Sequence, residues 1–79
     1  MKKLPIVEVE WVDSSGRGGW HSREDHRAQT PSHILSVGYL VKSTKRHVSI
    51  LQSADTEVDL AEGSTTIPRS AIRSIRKLG

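Results

Sequence analysis

Residues 33–53 read HILSVGYLVKSTKRHVSILQS, two apolar runs separated by a charged turn at 42–46. The residues that alternate along one face of the first run are Leu35, Val37, Tyr39 and Val41. The second run alternates in the same way, through Val48, Ile50 and Gln52. Alternation with a period of two, in β-branched and aromatic residues bounded by polar clusters, is typical of a β-hairpin. We expect the rest of a small all-β domain to be assembled on this hairpin.

The segment before the hairpin predicts a first strand over residues 5–12. Its sequence, PIVEVEWV, places Val7, Val9 and Trp11 on one face and two glutamates on the other. Charged side chains along an outer face favour exposure to water and discourage pairing between sheet edges. Pro5 suits the start of a strand, where the backbone needs no amide donor.

A long excursion, residues 13–31, follows the first predicted strand. It opens with DSSGRGG, in which Asp and Ser bond to nearby amides and Gly reaches positive φ angles. The segment 21–29 is crowded with charge and is long enough to hold a helical turn. A loop of this length in a small domain is usually functional or poorly ordered, so we expect recognition here first.

Three segments follow the hairpin. The acidic connection 54–64 contains Val58 and Leu60, for which we predict a short edge strand. A further strand over residues 64–67 is predicted to end at Pro68, where the backbone loses a donor. The apolar residues of the last stretch are three apart, which suits a helix, but alternation is also present. Its length and context favour a tight turn at 68–71 and a final strand over 72–77.

The order of these elements predicts the fold class. About five short antiparallel strands, with one long loop after the first, are typical of a small SH3-like or Sm-like barrel. We predict one such domain over residues 1–79, with an open antiparallel sheet and one helix as the alternative. The residues predicted to form the core are Trp11, Val37, Tyr39, Val48, Ile50 and Ile67.

The composition bounds the stability and the compartment of the protein. The chain has 79 residues, no cysteine and only three aromatic residues. A domain of this size buries only about 60–65% of its unfolded surface, so we expect a homo-oligomer to supply the missing burial. No apolar run approaches the roughly 18 residues of a membrane span, and no hydrophobic region follows the first lysines. These features predict a soluble cytoplasmic protein.

The net charge of +3 is unevenly distributed. Residues 54–62 contain four acidic side chains and no basic one, whereas the last stretch is basic through Arg69, Arg73, Arg76 and Lys77. A row of cations, with Arg17 added from the loop, predicts nucleic-acid or nucleotide binding as an alternative function. The other interpretation is that the opposite patches meet within the fold or between subunits.

Trp20 and its basic neighbours form the most suggestive cluster in the sequence. Arg17 and Arg23 lie within three residues of Trp20 in the long loop. Trp and Arg are the residue types most enriched in binding hot spots, so we predict these three as partner-binding residues. The alternative is that Trp20 folds back as a lid on a core that has few large side chains.

Catalysis and metal binding find little support in the sequence. The four histidines have no HExxH pattern and no cysteine partner, so no metal site is predicted. No serine stands in a GxSxG context. A chain this short rarely builds a pocket that excludes water, so we expect neither an enzyme nor a cofactor.

Four patterns in the chain carry a resemblance to known proteins. They are Val9-Glu-Trp11-x-Asp13-Ser14, Gly19-Trp20, Ser36-Val-Gly38-Tyr-Leu40 and Thr66-Ile-Pro-Arg69-x-x-Ile72-x-x-Ile75-x-x-Leu78. With these patterns the chain resembles, over nearly its whole length, a group of small bacteriophage-encoded proteins. The resemblance implies a phage origin and expression in the bacterial host cytoplasm, and it implies no activity. Our leading hypothesis is a non-enzymatic accessory protein that binds a host protein in host takeover or counter-defence, as an oligomer.

Overall fold

The computed structural model describes residues 3–79 and contains one antiparallel sheet of five strands, so the all-β prediction is confirmed. The strands are β1 (Ile6–Asp13), β2 (Ser32–Ser43), β3 (His47–Ala54), β4 (Ala61–Pro68) and β5 (Ile72–Lys77). A short helix α1 (Arg23–Arg27) lies in the long loop, and a 3₁₀ turn (Arg69–Ala71) joins β4 to β5. The predicted hairpin, the turn before residue 72 and the final strand are therefore confirmed.

The strands lie in the order β4-β3-β2-β1-β5. Along the described residues 3–79, β4 and β5 are the two edges, and the sheet is not closed into a barrel by a ladder between them. The ladder between β2 and β3 joins only Tyr39–Ser43 to the start of β3. The first half of β2, residues 32–38, pairs with β1 alone. The sheet therefore divides at Gly38 into a β5-β1-β2 part and a β2-β3-β4 part.

Five aliphatic side chains form the buried core. They come from β1, β3 and β4, and they are Val7, Val9, Val48, Ile50 and Ile67. Half-buried side chains pack around them, namely Trp11, Leu40, Ala71, Ile72 and Ile75. The prediction was right for Val48, Ile50 and Ile67. It was wrong for Val37, whose side chain is 57% exposed. Trp11 and Tyr39 are half-buried rather than central.

The face of β2 that points to the core is the opposite of the predicted one. Ile34, Ser36, Gly38 and Leu40 are the residues of β2 that share the inner side with the core. Ser36 Oγ accepts a hydrogen bond from Trp11 Nε1 at 3.1 Å. A Cβ on Gly38 would lie 2.7 Å from the carbonyl oxygen of Leu51 and 3.2 Å from the Cβ of Ile50. Small residues therefore face inward because the β3 backbone approaches β2 closely here.

The segment between β3 and β4 is a turn, so the predicted edge strand at Val58 and Leu60 was wrong. Asp55 Oδ1 accepts hydrogen bonds from the amides of Glu57 at 2.8 Å and Val58 at 3.3 Å. The Asp55 amide donates to the carbonyl of Leu60 at 2.9 Å, which closes the turn. An aspartate side chain that accepts hydrogen bonds from the amides two and three residues later competes with strand pairing. In this segment those bonds form, and a turn replaces the predicted strand.

The close approach at Gly38 yields a stability prediction. We expect Gly38→Ala to lower the free energy of unfolding by about 1–3 kcal/mol, because the new methyl group must displace the Leu51 carbonyl. Urea unfolding measures the change. Gly18→Ala is the matched control, since no atom lies within 4 Å of its added Cβ, and it should change stability by less than about 0.5 kcal/mol. Equal stability of the two variants would contradict the close packing of β2 on β3.

Candidate functional site

The long loop lies at the end of an arm. β1 and β2 stay paired as far as Asp13 and Ser32, well beyond the last buried residue of β1 at Val9. The molecule measures 53 × 23 × 20 Å. Its radius of gyration is 16.2 Å, whereas a compact domain of this length has about 12 Å. We call residues 10–35 the arm. The arm consists of the far ends of β1 and β2 and the long loop that joins them.

The loop of the arm is held by its own hydrogen bonds. The hydroxyl of Ser15 donates to the carbonyl of Thr30 at 2.8 Å, which ties the two sides of the loop together. Ser22 caps α1, because its Oγ accepts from the amide of Asp25 at 3.0 Å. Acidic residues in the first turn and basic residues in the last complement the helix dipole. These local contacts give the loop a defined shape without burying any residue of α1.

Trp20 is fully exposed within this loop, with a relative accessibility of 102%. Gly19 before it has a φ of 84°, a left-handed conformation that glycine adopts readily. His21 Nε2 is hydrogen-bonded to the carbonyl of Gly18 at 3.1 Å, so the backbone on both sides of Trp20 is fixed. The interpretation of Trp20 as a lid on the core was therefore wrong.

The exposed indole is energetically costly for so small a protein. A tryptophan can bury 150–250 Å² of surface, so its exposure forgoes about 4–6 kcal/mol of hydrophobic stabilisation. The core contains only five buried aliphatic side chains, so burial of the indole would have added substantially to its hydrophobic surface. A fully exposed tryptophan on a shaped loop is thus a candidate contact for a partner.

The structure places Arg17 and Arg23 on the same loop as Trp20, and both side chains are exposed. Arg23 is the first residue of α1, directly after the capping serine. Arg27 in the last turn of the same helix adds a third cation. The three predicted partner-binding residues therefore lie exposed on one loop.

Three of the four residues in the predicted cationic row make contacts within the fold, and all four side chains remain exposed. Arg69 donates from Nε to the carbonyl of Thr44 at 2.9 Å and from Nη2 to Ser43 Oγ at 2.7 Å. Arg76 forms an ion pair with Glu8 of β1 at 3.3 Å. Arg73 donates to the carbonyl of Ser70 at a longer 3.4 Å. Lys77, at the end of β5, is exposed.

Arg76 forms its ion pair with Glu8 of β1 and not with an acidic residue of 54–62, so this pair is not an example of the two opposite patches meeting. Register explains the ion pair, because Glu8 and Arg76 are directly opposite each other in the ladder between β1 and β5. Sequence reasoning missed this partner, since the two residues are far apart in the chain. It also missed Arg69 as a structural residue that fastens the turn between β2 and β3.

A second surface that sequence reasoning missed is the outer face of β2. Leu35 and Val37 are 64% and 57% exposed, and Val41 continues the same apolar row. Their cross-strand neighbours on β1 are Glu10 and Glu8. The sequence did contain evidence for this orientation. Ser36 and Gly38 alternate with the apolar row, and small residues of this kind indicate the side of a strand that packs closely.

One apolar hollow of the structure offers few reactive groups. It encloses about 460 Å³ and is mostly apolar, and it is lined by Lys3, Leu4, Ile6, Tyr39, Ala54, Thr56 and Gly79. The ionisable side chains in this lining are those of Lys3 and Tyr39. Across residues 3–79, no three His, Asp or Glu side chains are grouped to hold a metal ion. No helix in the same range has the length and apolar character to cross a membrane.

Comparisons of the chain with protein-family models, curated proteins and solved structures gave no match. Function is therefore inferred from the geometry of the chain itself. The features that bear on function are the exposed tryptophan of the arm, the apolar row of β2 and the exposed arginines of the last stretch.

The contacts of Arg69 and Arg73 predict different consequences for their removal. We expect Arg69→Ala to lower the free energy of unfolding by about 1 kcal/mol, because it breaks two hydrogen bonds that fasten the turn after β2. Arg73→Ala, which loses only one long hydrogen bond, should stay within about 0.5 kcal/mol of the parent protein. Thermal and urea unfolding measure both. Equal losses for the two variants would show that Arg69 has no special structural role.

Proposed function

We propose that this protein is a non-enzymatic accessory protein, encoded by a bacteriophage, that binds a host protein through the loop of its arm. The observation that carries the proposal is the complete exposure of Trp20 on a loop with defined hydrogen bonds. Arg17 and Arg23 supply charge beside it. The phage origin is supported by the resemblance described from the sequence patterns.

The energetics of association support this choice of loop. A few Trp, Tyr and Arg residues carry most of the affinity of a typical protein interface. A loop already shaped by the Ser15 and Ser22 hydrogen bonds loses less conformational entropy on binding than an unstructured one. The indole then recovers in the complex the hydrophobic stabilisation that it lacks in the free protein.

We also propose that the sheet has the topology of an SH3-like or Sm-like barrel that is only partly closed. Three features support this assignment: the strand order β4-β3-β2-β1-β5, the long excursion after β1 and the 3₁₀ turn before β5. The division of the sheet at Gly38 gives the two halves that such a barrel packs against each other. Fold alone assigns no activity, so the arm carries the functional argument.

Nucleic-acid binding has less support as a function. Arg69 and Arg76 already make hydrogen bonds within the fold, so part of their donor capacity is used, although both side chains remain exposed. The basic stretch also lacks aromatic residues on which bases could stack. Contacts to phosphate alone give weak binding that falls steeply with salt.

The test of the proposed function is capture of a host protein by the tagged protein and by its Trp20→Ala variant. We expect a stoichiometric host protein to be retained by the parent and reduced at least about tenfold by the variant, since hot-spot residues are worth 2 kcal/mol or more. The captured protein is then purified, and its affinity for both forms is measured by calorimetry. Because Trp20 is fully exposed, the variant should unfold at the parent temperature.

Leu60→Ala is the matched control, since Leu60 is an exposed apolar residue on a different turn, and it should leave capture unchanged. Equal retention by Trp20→Ala and the parent would contradict the assignment of the loop. Binding of a labelled oligonucleotide, measured at low and at physiological salt, distinguishes the nucleic-acid function from the protein-binding function. Binding that survives Trp20→Ala but fades with salt would favour the nucleic-acid interpretation over ours.

A further inference from the structure

The first half of β2 has an unpaired edge. Within residues 3–79, Ser32–Gly38 pairs with β1 on one side and with no strand on the other. The amide of Leu40 donates to the carbonyl of Pro5 at 2.8 Å, so even-numbered residues of β2 direct their peptide groups toward β1. Peptide groups alternate in direction along a strand. His33, Leu35 and Val37 therefore direct their amides and carbonyls away from β1.

This edge lacks the features that keep sheet edges apart. The ladder between β1 and β2 runs without a bulge, and the stretch Ser32–Gly38 contains no lysine, arginine or proline. Its outward side chains at Leu35 and Val37 are exposed and apolar. The edge strand β5 differs, because it carries Arg73, Arg76 and Lys77. Natural sheets protect their edges with charge, proline and bulges, so an unprotected straight edge is suited to pairing.

The space beside this edge is not occupied by β3. A groove of about 390 Å³ lies at the Gly38 end of the edge, where Ser36 and Val37 contribute to a lining otherwise formed by Ile50, Leu51, Gln52, Gly63, Ser64 and Thr65. The groove forms because β3 leaves β2 beyond Tyr39. A strand of another chain that pairs with residues 32–37 would therefore lie beyond the point at which β3 diverges from β2.

We infer that the occupant is the same strand of a second copy, paired antiparallel with β2 about a two-fold axis at Leu35. This register places Leu35 opposite Leu35 of the second copy and His33 opposite Val37 of the second copy. Each of these pairs exchanges two backbone hydrogen bonds, so every outward peptide group of the edge is satisfied. A pairing centred on Ser36 would place His33 opposite Tyr39, whose outer side is already paired with Leu51.

Side chains and charges agree with the two-fold arrangement. The two Leu35 side chains form a cross-strand apolar pair on the outer face, with Val37 beside them. Glu10 lies next to Leu35 on β1. The two copies of Glu10 are then three strand spacings apart, about 14 Å, which exceeds the screening length of about 8 Å at physiological salt. Repulsion between these carboxylates is therefore small.

The exposed surface of one copy favours association. The accessible surface is 6291 Å², whereas a compact monomer of this mass exposes about 4,800 Å². A standard interface buries about 800 Å² on each partner, which this excess can supply. The inference is independent of the proposed function, because Trp20 lies in the loop and takes no part in the pairing.

A single cysteine tests the axis, since the chain contains none of its own. In a hydrogen-bonded antiparallel pair the Cβ atoms are about 5.5 Å apart, beyond the 3.5–4.5 Å of a disulfide, so a short bifunctional thiol reagent is used rather than oxidation. Leu35→Cys should cross-link to itself with this reagent. Leu60→Cys is the control, because Leu60 is 69% exposed on a turn away from the edge. At about 10 μM protein, we expect cross-linking of Leu35→Cys to be about 100-fold faster than that of the control.

Light scattering on the unmodified protein gives the second measurement. We expect twice the chain mass at high micromolar concentration, and the monomer mass for Leu35→Lys with an unchanged circular dichroism spectrum. A monomer at every concentration, with equal cross-linking rates for the two cysteine variants, would overturn the inference. A dimer that Leu35→Lys leaves intact would also overturn it, because another surface would then hold the copies together. Trp20→Ala should leave the mass unchanged, so failure here is separable from failure of the proposed function.

Discussion

The burial of five aliphatic side chains between three strands is the constraint on which the structure depends. Val9, Val48 and Ile67 are completely inaccessible, and Val7 and Ile50 nearly so. Each such side chain contributes about 1.5–3 kcal/mol, so the whole core is modest for a chain that must order its backbone. The inner face of β2 fits this core only because Ser36 and Gly38 are small. Leu35 and Val37 consequently lie on the outer face, whereas Ile34 and Leu40 face inward on either side of the two small residues.

Local patterns predicted the strands well but not their orientation. The hairpin and the strand over 72–77 follow from alternation and from Pro68, which are properties of neighbouring residues. The inward side of β2 depends on the approach of Leu51 and on the hydrogen bond from Trp11, which are contacts between distant parts of the chain. Alternation alone gives two faces, and the apolar row was assigned to the wrong one.

The candidate site shows the same division. The residue types and glycine content of the loop were enough to select Trp20, Arg17 and Arg23 as a group. Whether Trp20 joins the core depends on the length of the paired arm beneath it, which only the register of β1 and β2 establishes. The arginines of the last stretch were grouped by sequence, but their partners Glu8 and Thr44 belong to other strands. Contacts with other strands therefore distinguish the arginines of the last stretch from those of the loop, although both groups are exposed.

The account depends most on the contrast between the two tryptophans of the chain, and hydrogen exchange of their indole N–H protons tests it directly. Trp11 donates from Nε1 to Ser36 Oγ in a half-buried position, whereas Trp20 is fully exposed. The account predicts one protected indole signal and one that exchanges as in a free peptide, with the latter absent after replacement of Trp20. Two protected indole signals in the isolated protein would contradict an aliphatic core with an exposed binding arm.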